Sequence, residues 1–354
     1  MAWAQPKYSR AAVDRAGALL ASDDFIDLGT DEEWSAAIDV INNWRSSHAF
    51  PLNTFQGTLR KKARLIDPNA LVAQRTKRLV SIEAKLRNEP WLKLSQMQDI
   101  GGCRAIVASV AHVNALVASY AESDLKHTLL RRDDYLDSPR ASGYRGIHLI
   151  YRYFSDKNQT YNGLRIEVQI RSNMQHAWAT SVETVGTMLR QSLKASQGSD
   201  DWLRFFALMG TWMAVREGTE RVADTPSKAK DLKKELREYT KKLDVRGRLR
   251  TYAQVIQLIE QPSVRRDRYR EFTYFLLVLD PTSKSQQVRV IPYSIRDLEE
   301  ATVEYARIEQ EVRNKPGGEA VLVAVEQLGA LRRAYPNYFL DTSSFLEEVA
   351  RAIA

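Results

Sequence analysis

Along the first third of the chain, apolar positions recur every three or four residues, the spacing of a helix with one buried face. Residues 11–21, 33–45 and 71–86 carry this pattern most clearly, so residues 8–120 are expected to be mainly helical. Asp23, Asp24 and Pro51 punctuate it. The period then shortens to two. Residues 104–110 (RAIVASV) are short and rich in β-branched side chains, and they follow the turn Gly101-Gly102. Residues 146–154 (GIHLIYRYF) and 164–171 (LRIEVQIR) read as strands joined by a polar connection, and residues 126–132 suggest a further strand. Helical spacing returns over residues 172–218.

The break Asp224-Thr225-Pro226-Ser227 precedes a basic segment expected to run as a helix to about Glu260, where Gln261-Pro262 ends it. Beyond lies a different rhythm. Residues 272–279 and 288–291 predict two strands around a turn, residues 297–312 a helix, and residues 321–325 a strand after Lys315-Pro316-Gly317-Gly318. The remainder reads as helix. The expected organisation is a main domain over 1–226, a basic helical linker over 227–262, and a C-terminal α/β or α+β module over 263–354. No internal repeat or low-complexity segment is evident.

A length of 354 residues suits two domains, and 44% hydrophobic with 27% charged residues suits a globular chain with ample core. No apolar run approaches the ~18–20 residues of a membrane span, and MAWAQPKYSR lacks the layout of a signal peptide. No membrane partner is therefore expected. Cys103 is the single cysteine, which excludes an internal disulfide or a multi-cysteine zinc site. A reducing cytoplasm is the expected compartment. The formal charge of +8 is concentrated. Residues 55–87 hold nine basic side chains against two acids, and residues 228–250 hold ten against four. Such runs either favour polyphosphate and nucleic-acid partners or are simply solvated helix faces.

Four segments carry candidate chemistry. In LRIEVQIR, strand alternation puts Leu164, Ile166, Val168 and Ile170 on one face and Arg165, Glu167, Gln169 and Arg171 on the other. That second face is either a functional row or the solvated side of an antiparallel sheet. Asp99-Ile-Gly-Gly-Cys-Arg104 sets a carboxylate and a guanidinium about one strand opening, and Asp99 with Glu167 would make a carboxylate pair of the kind that holds magnesium; an ordinary turn is the alternative. Lys77, Ser81 and Lys85 are four apart, so on a helix they would share a face suited to a triphosphate. The loop from Asp134 to His148 bears Pro139, Ser142 and Gly143, and delivers Tyr144 just before a strand. An exposed tyrosine there would stack on a base for about 1–3 kcal/mol, or else pack inward.

The ordered set Arg-x-Lys-x-x-x-Ser-Ile-x-x-Lys, Asp-Ile-x-Gly-x-Arg, Asp-Tyr-x-x-x-Pro-Arg-x-x-Gly-Tyr-x-x-x-His and Glu-Val-Gln-Ile-Arg resembles the synthetase domain of RelA/SpoT-type pyrophosphokinases, over about residues 45–215. The resemblance implies an α+β fold, a nucleotidyltransferase-like mixed sheet flanked by helices. The implied reaction moves the β,γ-pyrophosphate of ATP to a ribose 3′-hydroxyl with Mg2+ as cofactor. Carried over motif by motif, Arg75, Lys77, Ser81, Lys85 and Arg104 would bind ATP, and Asp99 would ligate Mg2+. Glu167 would bind the metal or help deprotonate the hydroxyl, supported by Gln169. Tyr144 would stack on the acceptor base, with His148, Arg140, Arg145 and His176 around the acceptor. Pyrophosphoryl transfer needs in-line positioning and neutralised charge, which such cations supply.

The sequence departs from the family pattern at Arg140, Ser142 and Thr180, where lysine, asparagine and glutamate are common, and these changes bear on the acceptor. No His-Asp dipeptide occurs, so the hydrolase motif of bifunctional members is missing. The whole chain resembles the fused toxin–antitoxin type called CapRel, in which a C-terminal pseudo-zinc-finger module restrains the enzyme until a phage capsid protein is sensed. Tyr335-Pro-Asn-Tyr338 matches the motif that covers the adenine site in that type, and the terminal module has neither cysteine nor histidine. The resemblance thus implies an autoinhibited enzyme modifying the 3′-CCA end of tRNA in phage defence. The alternatives are a (p)ppGpp or adenine alarmone synthetase acting on free nucleotides, and an idle RNA-binding or sensor protein. Asp99, Tyr144 and Glu167 together argue against the last.

Overall fold

A computed structural model describes residues 3–22, 31–189, 200–249, 274–279, 288–313, 319–324 and 342–354. Tyr335 and Tyr338, the basic segment beyond residue 249 and the turn at 280–287 lie outside the described residues. Among the described residues, the first helices are α1 (Arg10–Ala21), α2 (Asp31–Ser47) and α3 (Ala49–Ile66). Pro51, expected to break a helix, lies in the first turn of α3, where the leading N–H groups have no intrahelical acceptor to lose.

Residues 71–86 do not form one helix. Leu71–Thr76 is a strand, β1, and the helix α4 begins only at Leu79 and ends at Asn88. The three- and four-residue spacing is genuine for Leu79, Ile82 and Leu86, which form the buried face of α4. Upstream of it, pairing decides the outcome. β1 runs antiparallel to β2 (Gly101–Val107) on one side and to β8 (Glu319–Ala324) on the other.

The core continues with α5 (Val110–Ala121), β3 (Thr128–Asp134), β4 (Ile147–Arg152) and β5 (Arg165–Ser172). The helices α6 (Asn173–Leu189), α7 (Asp200–Glu217) and α8 (Ala229–Lys242) follow. Last come β6 (Tyr274–Leu279), β7 (Val288–Tyr293), α9 (Leu298–Arg313), β8 and α10 (Ser343–Ile353). Among the described residues, eight strands form one mixed sheet in the order β3-β4-β5-β2-β1-β8-β6-β7, with β2 and β5 parallel and the other pairs antiparallel. This is the α+β, helix-flanked mixed sheet expected.

One face of the sheet is apolar. Cys103, Ala105, Leu149, Tyr151, Ile166, Val168 and Ile170 are buried in one cluster with Leu52, Phe55 and Leu59 of α3 and Leu116 of α5. Each such Val, Leu or Ile contributes about 1.5–3 kcal/mol relative to exposure, which holds the polar face in register. A second cluster gathers Tyr144, Trp178, Trp202, Phe205 and Phe206 with Phe345, Val349 and Ala352 of α10. The C-terminal helix is therefore core to the region built by α6 and α7.

The terminal module expected to stand apart has its own cluster, with Leu276, Val278, Tyr305, Ile308 and Leu322, but not its own sheet: β8 continues the main one through β1. The second basic run is likewise docked over its described part. Leu232 and Leu236 of α8 are buried, Arg204 grips Glu235 at 2.6 and 2.9 Å, and Lys242 meets Asp201 at 2.8 Å. Among the described residues, no helix is long and apolar enough to cross a membrane.

Candidate active site

The parallel pairing of β2 with β5 sets the site. Gly102 lies opposite Glu167 and Arg104 opposite Gln169, while Arg75 of β1 lies opposite Gly102. Residues directly opposite share a face, so Arg75, Arg104, Glu167 and Gln169 share one surface, with Asp99 just ahead of β2. A side chain at Gly102 would stand 3.9 Å from the Glu167 carboxylate, so glycine keeps the space beside it open.

Asp99 accepts from both lysines, Lys77 Nζ at 2.6 Å and Lys85 Nζ at 3.2 Å. The three are only partly screened from solvent. Lys77 precedes α4 rather than lying on it, so the expected shared helix face of Lys77, Ser81 and Lys85 does not exist. The turn into α4 brings Lys77 and Lys85 to one carboxylate by another route, and Ser81 lies half-buried on α4 one turn before Lys85. Burial pushes the Asp99 carboxyl up, but Lys77 and Lys85 outweigh it and hold it well below the usual carboxylate range.

The row Glu167, Gln169, Arg171 is not a solvated face. Glu167 is 8% exposed and Arg171 1%. Gln169 Nε2 donates to Glu167 Oε2 at 2.6 Å, and Gln169 Oε1 accepts from Arg171 Nη2 at 3.0 Å. His148, opposite Gln169 on β4, lies between two partners: Nδ1 is 2.9 Å from Glu167 Oε1 and Nε2 is 2.5 Å from Tyr144 Oη. Burial pulls the imidazole down, but Tyr144 and Glu167 together lift it to about 9. As imidazolium, both ring nitrogens donate. For Glu167, burial raises the carboxyl, the His148 charge and hydrogen bond lower it more, and nearby Asp99 opposes them. The net direction is down, so Glu167 is held as a carboxylate.

Tyr144 corrects an expectation. It is 4% exposed, not an open stacking platform. Its hydroxyl accepts from Arg171 Nη2 at 2.7 Å, the Arg171 guanidinium lies 5.0 Å from its ring centre, and Trp178 and Tyr135 pack edge-on. The cause is the preceding glycine. Gly143 has φ +96°, and a Cβ there would meet the Phe206 carbonyl at 2.6 Å. Gly210 of α7 faces it equally closely, so two glycines let the loop press against α7 and turn Tyr144 inward.

Arg145 is also buried, donating to Glu217 Oε2 at 2.7 Å and Thr219 Oγ1 at 3.1 Å, rather than facing an acceptor. Arg140 is exposed and stacks over Tyr135. Ser142 is buried in the loop. His176 and Thr180 are buried on α6 and line a cleft with Ile106, Arg216, Thr342 and Phe345. Sequence reasoning missed Arg171 as the hub that joins Tyr144 to Gln169, although strand alternation had placed it in the row. It missed Glu217 altogether, since nothing local pairs it with Arg145, 72 residues away.

The oxygens of Asp99 and Glu167 are the donor type Mg2+ prefers, and one or two carboxylates with phosphate oxygens and water are its usual shell. These residues fit that ion, provided the cations now on Asp99 turn to phosphate.

Residues 74–185 match the family model described as "Region found in RelA / SpoT proteins". The chain is 32% identical over 119 residues to the GTP pyrophosphokinase YjbM of Bacillus subtilis, an alignment covering 32% of this chain and 54% of that protein. It is 31% identical over 117 residues to an uncharacterized protein of Mycobacterium tuberculosis, covering 32% of this chain and 38% of that one. The chain thus spans about half or less of the length of these curated relatives. Among solved structures, the small alarmone synthetase 1 of Bacillus subtilis bound to its product pppGpp is 20% identical with a TM-score of 0.43, over 52% of this chain and 93% of that one.

Proposed function

We propose that this chain is an ATP-dependent pyrophosphokinase of the RelA/SpoT synthetase type. One observation carries the reading: within the matched segment, Asp99 with its two lysines lies just ahead of β2, and the His148-held Glu167 lies on the neighbouring strand β5. In the proposed step, the acceptor 3′-oxygen bonds to the β-phosphorus of ATP, the bond from that phosphorus to the α,β-bridging oxygen breaks, and AMP leaves. The proton of the hydroxyl passes to Glu167, whose lowered pKa keeps the carboxylate available. Arg75, Lys77, Lys85 and Arg104 would neutralise the spreading charge. When bound by Asp99 and Glu167, Mg2+ would supply further neutralisation of the phosphate oxygens.

For the acceptor, we favour the 3′-CCA end of tRNA, with restraint by the C-terminal segment and a phage capsid protein as trigger. The resemblance to the fused toxin–antitoxin type supports this reading, as does basicity concentrated in two runs. The second reading, synthesis of guanine or adenine alarmones from free nucleotides in the cytoplasm, is favoured by the GTP pyrophosphokinase named among the relatives.

The test uses the full chain, γ-labelled ATP and Mg2+, with tRNA or GDP and GTP as acceptor. Label on tRNA is the expected result, and label on guanine nucleotide alone would select the second reading. The same assay on Tyr335→Ala with Tyr338→Ala tests restraint. Higher basal transfer is expected, and unchanged transfer would reject those tyrosines as the latch.

A further inference from the structure

We infer that Glu309, on α9 of the C-terminal segment, is a positioning residue for the donor site, holding the β1–α4 turn that carries Lys77. The inference rests on the donor-site reading above.

The turn needs an outside partner. A helix leaves its first N–H groups without intrahelical acceptors, and the N-cap of α4, Arg78, makes no side-chain cap hydrogen bond. The acceptor comes instead from 230 residues away: Leu79 N–H donates to Glu309 Oε1 at 2.7 Å. A carboxylate at a helix N-terminus is also favoured by the helix dipole.

The same carboxylate pairs with Arg45 of α2, Nη1 to Oε2 at 2.8 Å and Nη2 to Oε1 at 3.3 Å, with side chains only 4% and 5% exposed. Arg45 spends all five of its N–H donors. Two go to Glu309, one to Asn42 Oδ1 at 3.0 Å, one to Tyr305 Oη at 2.7 Å, and Nε donates to the carbonyl of Lys77 at 2.9 Å. Tyr305 Oη in turn donates to Glu309 Oε1 at 3.0 Å.

The turn is therefore gripped at both ends. Arg45 holds the Lys77 carbonyl, and Glu309 holds both Arg45 and the Leu79 amide. Lys77 extends from this turn to Asp99 at 2.6 Å. Arg75 lines the same cleft as Arg45, Tyr305, Tyr274 and Leu322, so the seam between α9 and α2 reaches one of the proposed donor cations. Removing one member of a buried pair leaves the other charge uncompensated, so loss of Glu309 should loosen the turn. The C-terminal segment thereby completes the donor site, a role separable from any restraint it exerts elsewhere.

The test compares wild type, Glu309→Gln and Glu309→Asp as full chains, each checked by thermal melting. Three readouts are used: dissociation of α,β-methylene ATP, steady-state constants for ATP and acceptor, and hydrogen exchange at the amides of residues 79–82. Glu309→Gln keeps the shape but loses the charge. It should weaken analogue binding and raise KM for ATP about tenfold, with kcat and acceptor KM held within about twofold, a size consistent with loss of a charged cap. Exchange at 79–82 should quicken while β5 stays protected, and Glu309→Asp should recover part of both effects.

Wild-type binding and wild-type exchange in Glu309→Gln would overturn the inference. So would a fall of kcat alone in step with the unfolded fraction, which is what a purely structural brace would give. If wild type itself binds no analogue, the donor-site reading fails, while exchange at 79–82 still reports whether Glu309 holds the turn.

Discussion

The two halves of the site are built from similar residues in opposite states. At the proposed donor half, Lys77 and Lys85 meet Asp99 near the surface, with Arg75 and Arg104 on the same sheet face. At the proposed acceptor half, Tyr144 and Arg145 are buried against Arg171 and Glu217. Cations that neutralise a polyphosphate must stay reachable by water and ligand, whereas an arginine buried against a carboxylate or a tyrosine is shielded from one. The lysines of the first half thus stay within reach of a ligand, while the second half is closed on its own side chains. His148 links the halves, touching Glu167 with one ring nitrogen and Tyr144 with the other.

The comparison can be broken first at its acidic members. Glu167→Gln or Asp99→Asn should lower pyrophosphoryl transfer per folded molecule by about 10²–10⁴-fold, and losing the pairs with His148 or with Lys77 and Lys85 should also lower the thermal midpoint. Transfer within tenfold of wild type would remove both residues from the chemistry. Tyr144 sharpens it next. Tyr144→Ala should cost about 3–5 kcal/mol in chemical denaturation, since it empties a packed aromatic site. Tyr144→Phe should cost about 1–3 kcal/mol, because only the hydroxyl between Arg171 and His148 is lost. Equal, negligible losses would mean that Tyr144 is not packed as described.

The smallest effect is the pH dependence of His148. Its folded pKa of about 9 lies above the ordinary value of 6.5. The protonated form therefore stabilises the fold fully below about pH 6.5, and that contribution is lost as pH rises through about 9. Melting temperatures should fall across this window in wild type and change less in His148→Gln. Parallel curves for the two proteins would detach His148 from Glu167.

Much of the site was legible because strand alternation is local. LRIEVQIR put Glu167, Gln169 and Arg171 on one face before any contact was known, and the isoleucines and valine opposite them are fully buried. Asp99 and Lys85 were found by type and spacing. What failed was whatever depended on a partner far along the chain. Residues 71–76 carry a helix-like pattern, yet they become a strand because β2 and β8 offer hydrogen-bonding edges on both sides. Tyr144 looked exposed because nothing in its loop reveals that Gly210 of α7 will meet Gly143.

The sequence by itself determined the alternating strands, the amphipathic helices and the ordered set of carboxylates and cations, since each follows from periodicity and side-chain chemistry over a few residues. Tertiary structure alone decided which charges are sealed in the core by a partner distant in sequence. Arg45 and Arg145 meet Glu309 and Glu217, carboxylates far along the chain that only the fold brings to them. A charge is neutralised by what lies within a few ångströms in space, and sequence separation places no limit on that.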